Sequence, residues 1–521
     1  MKLPIGIQTF ATIRTEDYVY IDKTKEALDL IENYKYVFLA RPRRFGKSLF
    51  LDTLKNIFEG KKELFKGLYI YDKYDFANYP VIKISWSGYM QTTADLHARV
   101  FAIFASNQER LGIKEYNRDN PFSCFDTIIK KVYQKYKQKV VILIDEYDKP
   151  ILDVIEDRTQ AIKNREFIKG FYSIIKDNDE YIRFAFLTGV SKFSKASIFS
   201  GLNMLEDISL SPRFGNICGY THKDIKEKFH DYLTNETKLE KIKEWYNGYY
   251  FLKDKIYNPF DILQYFRNKV FDNYWFESGT PTFLIKLIQS NNYYLPQLNK
   301  IEIGKELLSS FDLENMCLET ILYQSGYLTI KDYIADDDGI FYTLTLPNKE
   351  VRISLFKFII EYLYQQNPTP IVRRIRKTLK EANLKEFKKI LHSLFASIPY
   401  HNYTKNELSK YEGFYASVIY AYLQSLGFEI KVEDPTNRGR VDMTILAESN
   451  IYIIEFKVIN SQNLTSPNVS NPLEQIKAKR YYEKYQTIDK EYSIYLVGIV
   501  FDESKRNVVN FAYEKLKATS Q

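Results

Sequence analysis

Between Tyr36 and Phe58 the chain runs through an apolar segment, Tyr36 to Ala40, then Arg41-Pro42-Arg43-Arg44-Phe45-Gly46-Lys47-Ser48, then a helical pattern from Leu49 to Phe58. A strand, a loop ending in Gly-Lys-Ser and a helix form a phosphate-binding loop, because main-chain N–H groups and the positive helix end converge on one point. Lys47 is placed to reach the outer phosphates of ATP, and Ser48 to offer its hydroxyl to magnesium; Arg43, Arg44, Phe45 and Gly46 complete the expected cradle. Arg41 occupies the position where G-x-x-x-x-G-K-S has its first glycine. Gly-Lys-Ser alone is a weak signal. It gains weight from Val140 to Ile144, a buried-type strand that ends in Asp145-Glu146. Asp145 is placed for the magnesium shell and Glu146 to polarise an attacking water, against the plainer reading of a core strand that ends in a solvated acidic turn.

Similar short runs at Val81 to Ser85 and Ile182 to Leu187 alternate with helical patterns, the order expected of a parallel α/β sheet. The last of them leads into Thr188-Gly189-Val190-Ser191, where a polar group is placed to sense a phosphate. The chain has 521 residues, enough for about three domains. Hydrophobic residues make up 45% and aromatic residues 16%, which excludes a disordered chain. A net charge of +8 permits a polyanionic partner without requiring one. Three separated cysteines exclude a disulfide framework and fit a reducing cytoplasm. No apolar run approaches the length of a membrane span, and the N-terminus lacks a signal-peptide pattern. Cys218 and His222 have no companion ligand pair for zinc.

From about Gly215 to Leu363 the pattern is mainly helical. It is interrupted by Gly326 to Ile330 and Phe341 to Leu346 around Asp336-Asp337-Asp338-Gly339, which together suggest a winged-helix-like unit. Ile371 to Ile390 carries eight Lys or Arg and two Glu, interleaved with Ile375, Leu379, Leu384 and Phe387. That is foremost a solvated amphipathic helix, with a nucleic-acid-facing helix as the alternative.

In the last 110 or so residues, a helix from Tyr411 to Leu426 and a strand from Phe428 to Val432 precede a hairpin of Arg440 to Leu446 and Ile451 to Val458. A loop at Ser461 to Asn471, a helix from Pro472 to Tyr485 and a strand from Tyr492 to Phe501 follow. Asp442 lies on the first hairpin strand, and Glu455 and Lys457 share one face of the second. Two carboxylates so placed hold magnesium against a scissile phosphate, and Lys457 positions or helps deprotonate the attacking water. Glu412 is a further metal-ligand candidate, and Gln475 with Lys479 a turn later can contact the site or a phosphate. This order resembles the PD-(D/E)XK nuclease superfamily, although Asp442 follows Gly439-Arg440-Val441 rather than proline.

Tyr20-Ile21-Asp22-Lys23-Thr24, Arg41 to Ser48, Leu143 to Tyr147, Trp245 to Tyr249, Tyr257-Asn258-Pro259 and Leu346 to Val351 are similar to the AAA-ATPase-like proteins of bacteria. In that family Arg-Pro-Arg-Arg-Phe-Gly-Lys-Ser is itself the usual loop. The resemblance spans nearly the whole chain and implies an ATP-binding module joined to a nuclease-like domain.

The expected architecture is α/β. A P-loop NTPase parallel sheet occupies 1–214, a mainly helical middle region 215–370, a basic helical connector 371–408, and an α/β restriction-endonuclease-like domain 409–521. The expected function is ATP binding and hydrolysis coupled to a magnesium-dependent nuclease acting on DNA or RNA in the cytoplasm, with an oligomer compatible and no membrane partner. The alternative is a non-catalytic, ATP-dependent switch whose inactive nuclease fold binds nucleic acid or protein.

Overall fold

Short apolar runs that are buried along their whole length become the interior strands of a sheet when helices connect them. In the computed structural model, β1 (Tyr36–Ala40), β2 (Val81–Ser85), β3 (Val140–Asp145), β4 (Ile182–Gly189) and β5 (Glu206–Asp207) form one sheet in the order β2-β3-β4-β1-β5. All five strands are parallel. The helices Lys47–Phe58, Thr93–Leu111 and Pro121–Tyr136 pack on this sheet. The described residues are 2–114, 120–193, 202–233, 236–275, 288, 293–308, 311–314, 316–363, 367–398, 412–459, 471–486 and 492–516; the side chains of 236, 237, 363, 412 and 413 are not among them. Among the described residues, no helix is long and apolar enough to cross a membrane.

Contacts divide the chain into two units, one of 1–280 with 301–348 and one of 281–300 with 349–521. The mainly helical stretch expected over 215–370 is therefore shared between them. Within the first unit that stretch supplies two small antiparallel sheets. One orders β6 (Tyr220–Thr221), β8 (Lys255–Tyr257) and β7 (Asn247–Tyr250); the other orders β10 (Thr329–Asp336), β11 (Gly339–Thr345) and β9 (Ile301–Gly304). The hairpin expected around Asp336 to Gly339 is β10–β11, and it gains β9 as a third strand.

The second unit is built on a mixed sheet of β12 (Glu429–Thr436), β13 (Gly439–Ala447), β14 (Asn450–Ile459), β15 (Ser493–Asp502) and β16 (Asn507–Lys515) in sequence order. Only the β14–β15 pair is parallel, and the helix Pro472–Lys479 makes the crossover between them. The basic run of 371–408 is not one helix. It forms Pro368–Lys380 and Leu384–Ser397, separated by Ala382 at φ +51°, with Asn383 capping the second helix by accepting the N–H of Glu386. Its apolar residues Ile375, Leu379, Leu384 and Phe387 are buried. Residues 399–408 of that run, and the loop expected at Ser461 to Asn471 up to residue 470, lie outside the described residues.

The expected helix from Pro472 to Tyr485 also breaks. Arg480 takes φ +48°, and the N–H groups of Arg480 and Tyr481 close on the carbonyls of Lys477 and Ile476. The termination is of the left-handed kind that ends helices, here built on a non-glycine residue.

Candidate functional site

The loop of the first unit takes its shape from a few main-chain turns. Gly46 caps the helix Lys47–Phe58 at φ +93°, a conformation that costs glycine little, and a Cβ there would meet nothing within 4 Å. The space over the helix end is thus open to an incoming group. Lys47 is only 8% exposed. Its ammonium donates to the carbonyls of Arg41 and Pro42, each at 2.9 Å. The loop's own carbonyls supply the acceptors that a buried ammonium requires. Burial presses its pKa below the ordinary ammonium value, while Asp145, Asp148 and Glu146 pull it upward.

Those three carboxylates lie at and just beyond the end of β3. Asp145 is 6% exposed and its Oδ1 has no partner among the described residues. Such an orphaned oxygen fits a cation or a water held by one. Glu146, at φ +55°, has its pKa raised by burial and by Asp145. Asp148 was not singled out from the sequence, yet it ties β3 to the end of β4. Its Oδ2 accepts the N–H groups of Val190 at 3.0 Å and Ser191 at 2.5 Å, and burial pushes its pKa up to about 6. Tyr147 strengthens the tie by donating to the Ser191 carbonyl at 2.9 Å. Gly189 makes the approach of these segments feasible, since a Cβ there would lie 2.5 Å from the Tyr147 ring.

The other loop side chains turn to the rest of the unit. Arg44 stacks on Phe260 with its guanidinium carbon 3.7 Å from the ring centre, and Phe45 packs edge-on against Tyr249. The Arg43 carbonyl accepts from Trp275 Nε1 at 3.3 Å and Asn258 Nδ2 at 3.5 Å. The aromatic stretches around Tyr249 and Asn258 thus clasp the loop. Ser48 is half-buried in the first turn of the helix. Arg213 pairs with Asp29.

In the second unit, the β13–β14 register brings Asp442 and Glu455 together across the hairpin. Asp442 Oδ2 accepts the N–H of Phe456 at 2.7 Å, and Glu455 Oε2 accepts the N–H of Asp442 at 3.4 Å. Glu455 is 4% exposed and also accepts a hydrogen bond from the Gln475 amide. Its neighbour in the parallel ladder is Gly498, where a Cβ would lie 2.5 Å from the Leu473 main-chain nitrogen. The missing side chain lets the helix Pro472–Lys479 settle on β15 and carry Gln475 to Glu455. Burial raises the Asp442 pKa, while Lys457, half-buried two residues beyond Glu455, pulls it back down.

The structure adds Tyr481 to this site. Turned inward by the break at Arg480, it is buried, and its pKa is raised by burial and by Glu455. Lys479 is exposed on the helix, and the Glu412 side chain lies outside the described residues. Among the described residues, no three potential metal ligands of the His, Cys, Asp or Glu type gather in one place; the pair Asp442 and Glu455 is what the sheet assembles.

A parallel sheet with a Gly-Lys-Ser loop before an acidic strand end, followed by a mixed sheet that buries an Asp–Glu pair, defines a P-loop-type α/β protein carrying a nuclease-like fold. Family models agree: the one for predicted AAA-ATPases matches residues 4–199, and the one for the PD-(D/E)XK nuclease superfamily matches residues 410–511. The chain is 41% identical over 521 residues to an Azotobacter chroococcum mcd 1 protein described as "Uncharacterized protein in vnfD 5'region", covering 99% of each. It is also 28% identical over 197 residues to a beta-lysine N(6)-acetyltransferase of Methanococcus maripaludis, spanning 34% of this chain and 58% of that protein. No solved structure matches. The chain belongs to one family with its Azotobacter relative, and it is itself an AAA-ATPase-like protein with a C-terminal PD-(D/E)XK nuclease-superfamily domain.

Proposed function

We propose that the protein binds and hydrolyses ATP in its first unit and cleaves phosphodiester bonds of nucleic acid with metal help in its second. The observation that carries the reading is the burial of acidic groups where each chemistry needs them: Asp145 beside Lys47 at the loop, and Asp442 against Glu455 in the second sheet.

In the first unit, Lys47 leaves the carbonyls of Arg41 and Pro42 for the outer phosphates, and main-chain N–H groups around Phe45 and Gly46 receive the inner ones. Arg43 and Arg44 contribute through their main chain, the Arg44 side chain being held on Phe260. Ser48 and Asp145 would hold magnesium, and Glu146 orients and activates the attacking water. In the second unit, Asp442 and Glu455 would hold the ion, with Glu412 as a further ligand. Lys457 positions the water, and Gln475 holds Glu455 in place. Magnesium, when bound, supplies positive charge that stabilises the transferring phosphoryl group.

Nucleotide titration and strand cleavage on the full chain test both halves. Lys47→Ala should lose ATP affinity without a change in thermal unfolding larger than a few degrees. Glu146→Gln should keep ATP affinity and lose most hydrolysis. Equal ATP affinity in wild type and Lys47→Ala would remove the first half. Nucleic-acid binding without cleavage in any divalent metal would remove the second and leave the switch reading.

A further inference from the structure

A cavity of about 160 Å³ opens beside the first two loop residues, Arg41 and Pro42, and its walls include neither Lys47, Ser48, Asp145 nor Glu146. It is too small for a nucleotide, whose pockets run from about 300 Å³ upward, and about the size that accepts one benzene ring.

Its charge is unbalanced. Arg41 is 1% exposed and, among the described residues, donates to the neutral carbonyls of Ala40, Ser209 and Phe214, with its guanidinium 3.9 Å from the centre of the Phe251 ring. Among the described residues its Nε has no acceptor and no carboxylate forms a salt bridge with it. The acidic group on the wall, Asp207, is taken by Lys192, while Lys305 adds another cation. Burying a guanidinium among neutral groups is costly, and an anion brought alongside offsets that cost. Tyr323 and Gln324 line the same cavity as hydrogen-bonding groups, and apolar residues such as Leu308 and Phe251 complete it. The departure from glycine at position 41 thus puts a buried cation where an ordinary phosphate-binding loop has no side chain.

We infer that this cavity is a second ligand site, separate from the phosphate cradle, which binds one small oxyanion, a phosphate or a carboxylate, against Arg41 with Lys305 at its wall. The site stands whether or not the loop binds ATP.

Calorimetric titration of inorganic phosphate and, separately, of benzoate into the full chain tests it, in wild type, Lys305→Glu, Leu308→Trp and Lys47→Ala. Lys305 is exposed, so reversing its charge should leave folding intact; Leu308→Trp fills the cavity from an apolar wall. One equivalent of at least one probe should bind wild type and Lys47→Ala equally, and bind Lys305→Glu about tenfold more weakly, the scale of one charge-assisted contact. Whichever probe binds identifies the source of the oxyanion. Phosphate binding lost in Lys47→Ala but retained in Lys305→Glu would place the anion in the cradle and overturn the inference, as would the binding of neither probe. ATP titration of the same proteins keeps the two readings apart: probe binding that depends on Lys305 in a chain that binds no ATP would sink the proposed ATPase and leave this site standing.

Discussion

Asp442 and Glu455 each accept a main-chain N–H from the opposite strand, so exchanging either carboxylate for an amide keeps its shape and removes a hard anionic ligand. Asp442→Asn and Glu455→Gln should abolish magnesium or manganese binding and cleavage. Lys457→Ala should retain metal, or bind it more tightly once a neighbouring cation is gone, while cleavage falls by about 10²-fold or more; metal titration and strand cleavage run in parallel would separate the three. Asp148 makes a different prediction. Its folded pKa, pushed up to about 6, lies above the value of an unfolded aspartate, so between about pH 4 and 6 the native state holds more protons than the unfolded chain. The proton-linked contribution of this group is therefore present below that window and is lost as pH rises through it. Asp148→Asn removes the titration while keeping an oxygen for Val190 and Ser191. Chemical denaturation should show wild type losing about 2 kcal/mol relative to the variant from pH 4 to 7. The opposite slope would mean that attraction to Lys47 outweighs burial.

A helix resting on a strand decides where the Gln475 amide sits. Gly498 faces Glu455 in the ladder and leaves room for the first turn of the helix Pro472–Lys479. Gly498→Val should destabilise the protein by about 2 kcal/mol through overpacking. It should also weaken metal affinity without altering any ligand, because Gln475 moves off Glu455. Thermal unfolding and metal titration check the two effects, and a destabilised variant with unchanged metal affinity would make Gln475 a bystander. The helix itself was legible from Asn471-Pro472, a capping residue with proline at the first helical position. Its end was not. Arg480 carries no sequence mark of a left-handed stop, and what holds it there is the packing of Tyr481 and Tyr485 with Val441, Ile453 and Leu496.

The second unit takes the helices Pro368–Lys380 and Leu384–Ser397 into its own contacts. Leu379 and Lys380 offer carbonyls to Asn450, Tyr452 donates to Leu379 at 2.5 Å, and Phe387 and Phe395 pack on Phe511 and Phe501. Each such buried apolar side chain contributes about 1.5–3 kcal/mol, so losing several of them erases the 5–15 kcal/mol typical of a domain. A fragment of 349–521 should unfold cooperatively in denaturant, whereas one of 409–521 should not. Equal cooperativity in both would return 371–408 to the role of a connector.

Sequence alone determined what depends on local order. Tyr36 to Ala40, Val81 to Ser85 and Val140 to Asp145 are strands because their apolar runs admit burial on every side, and Gly46-Lys47-Ser48 opens a helix because only glycine takes the required φ at little cost. The pairing of Asp442 with Glu455 was legible too, since a short hairpin sets its own register. Tertiary structure alone decided that Lys47 folds onto its own loop, that Asp148 ties β3 to β4, that Tyr481 turns toward the carboxylates, and that Arg41 is buried beside a cavity. Each of these depends on which distant groups supply acceptors, rings or empty space, and no pattern within a few residues of sequence carries that information.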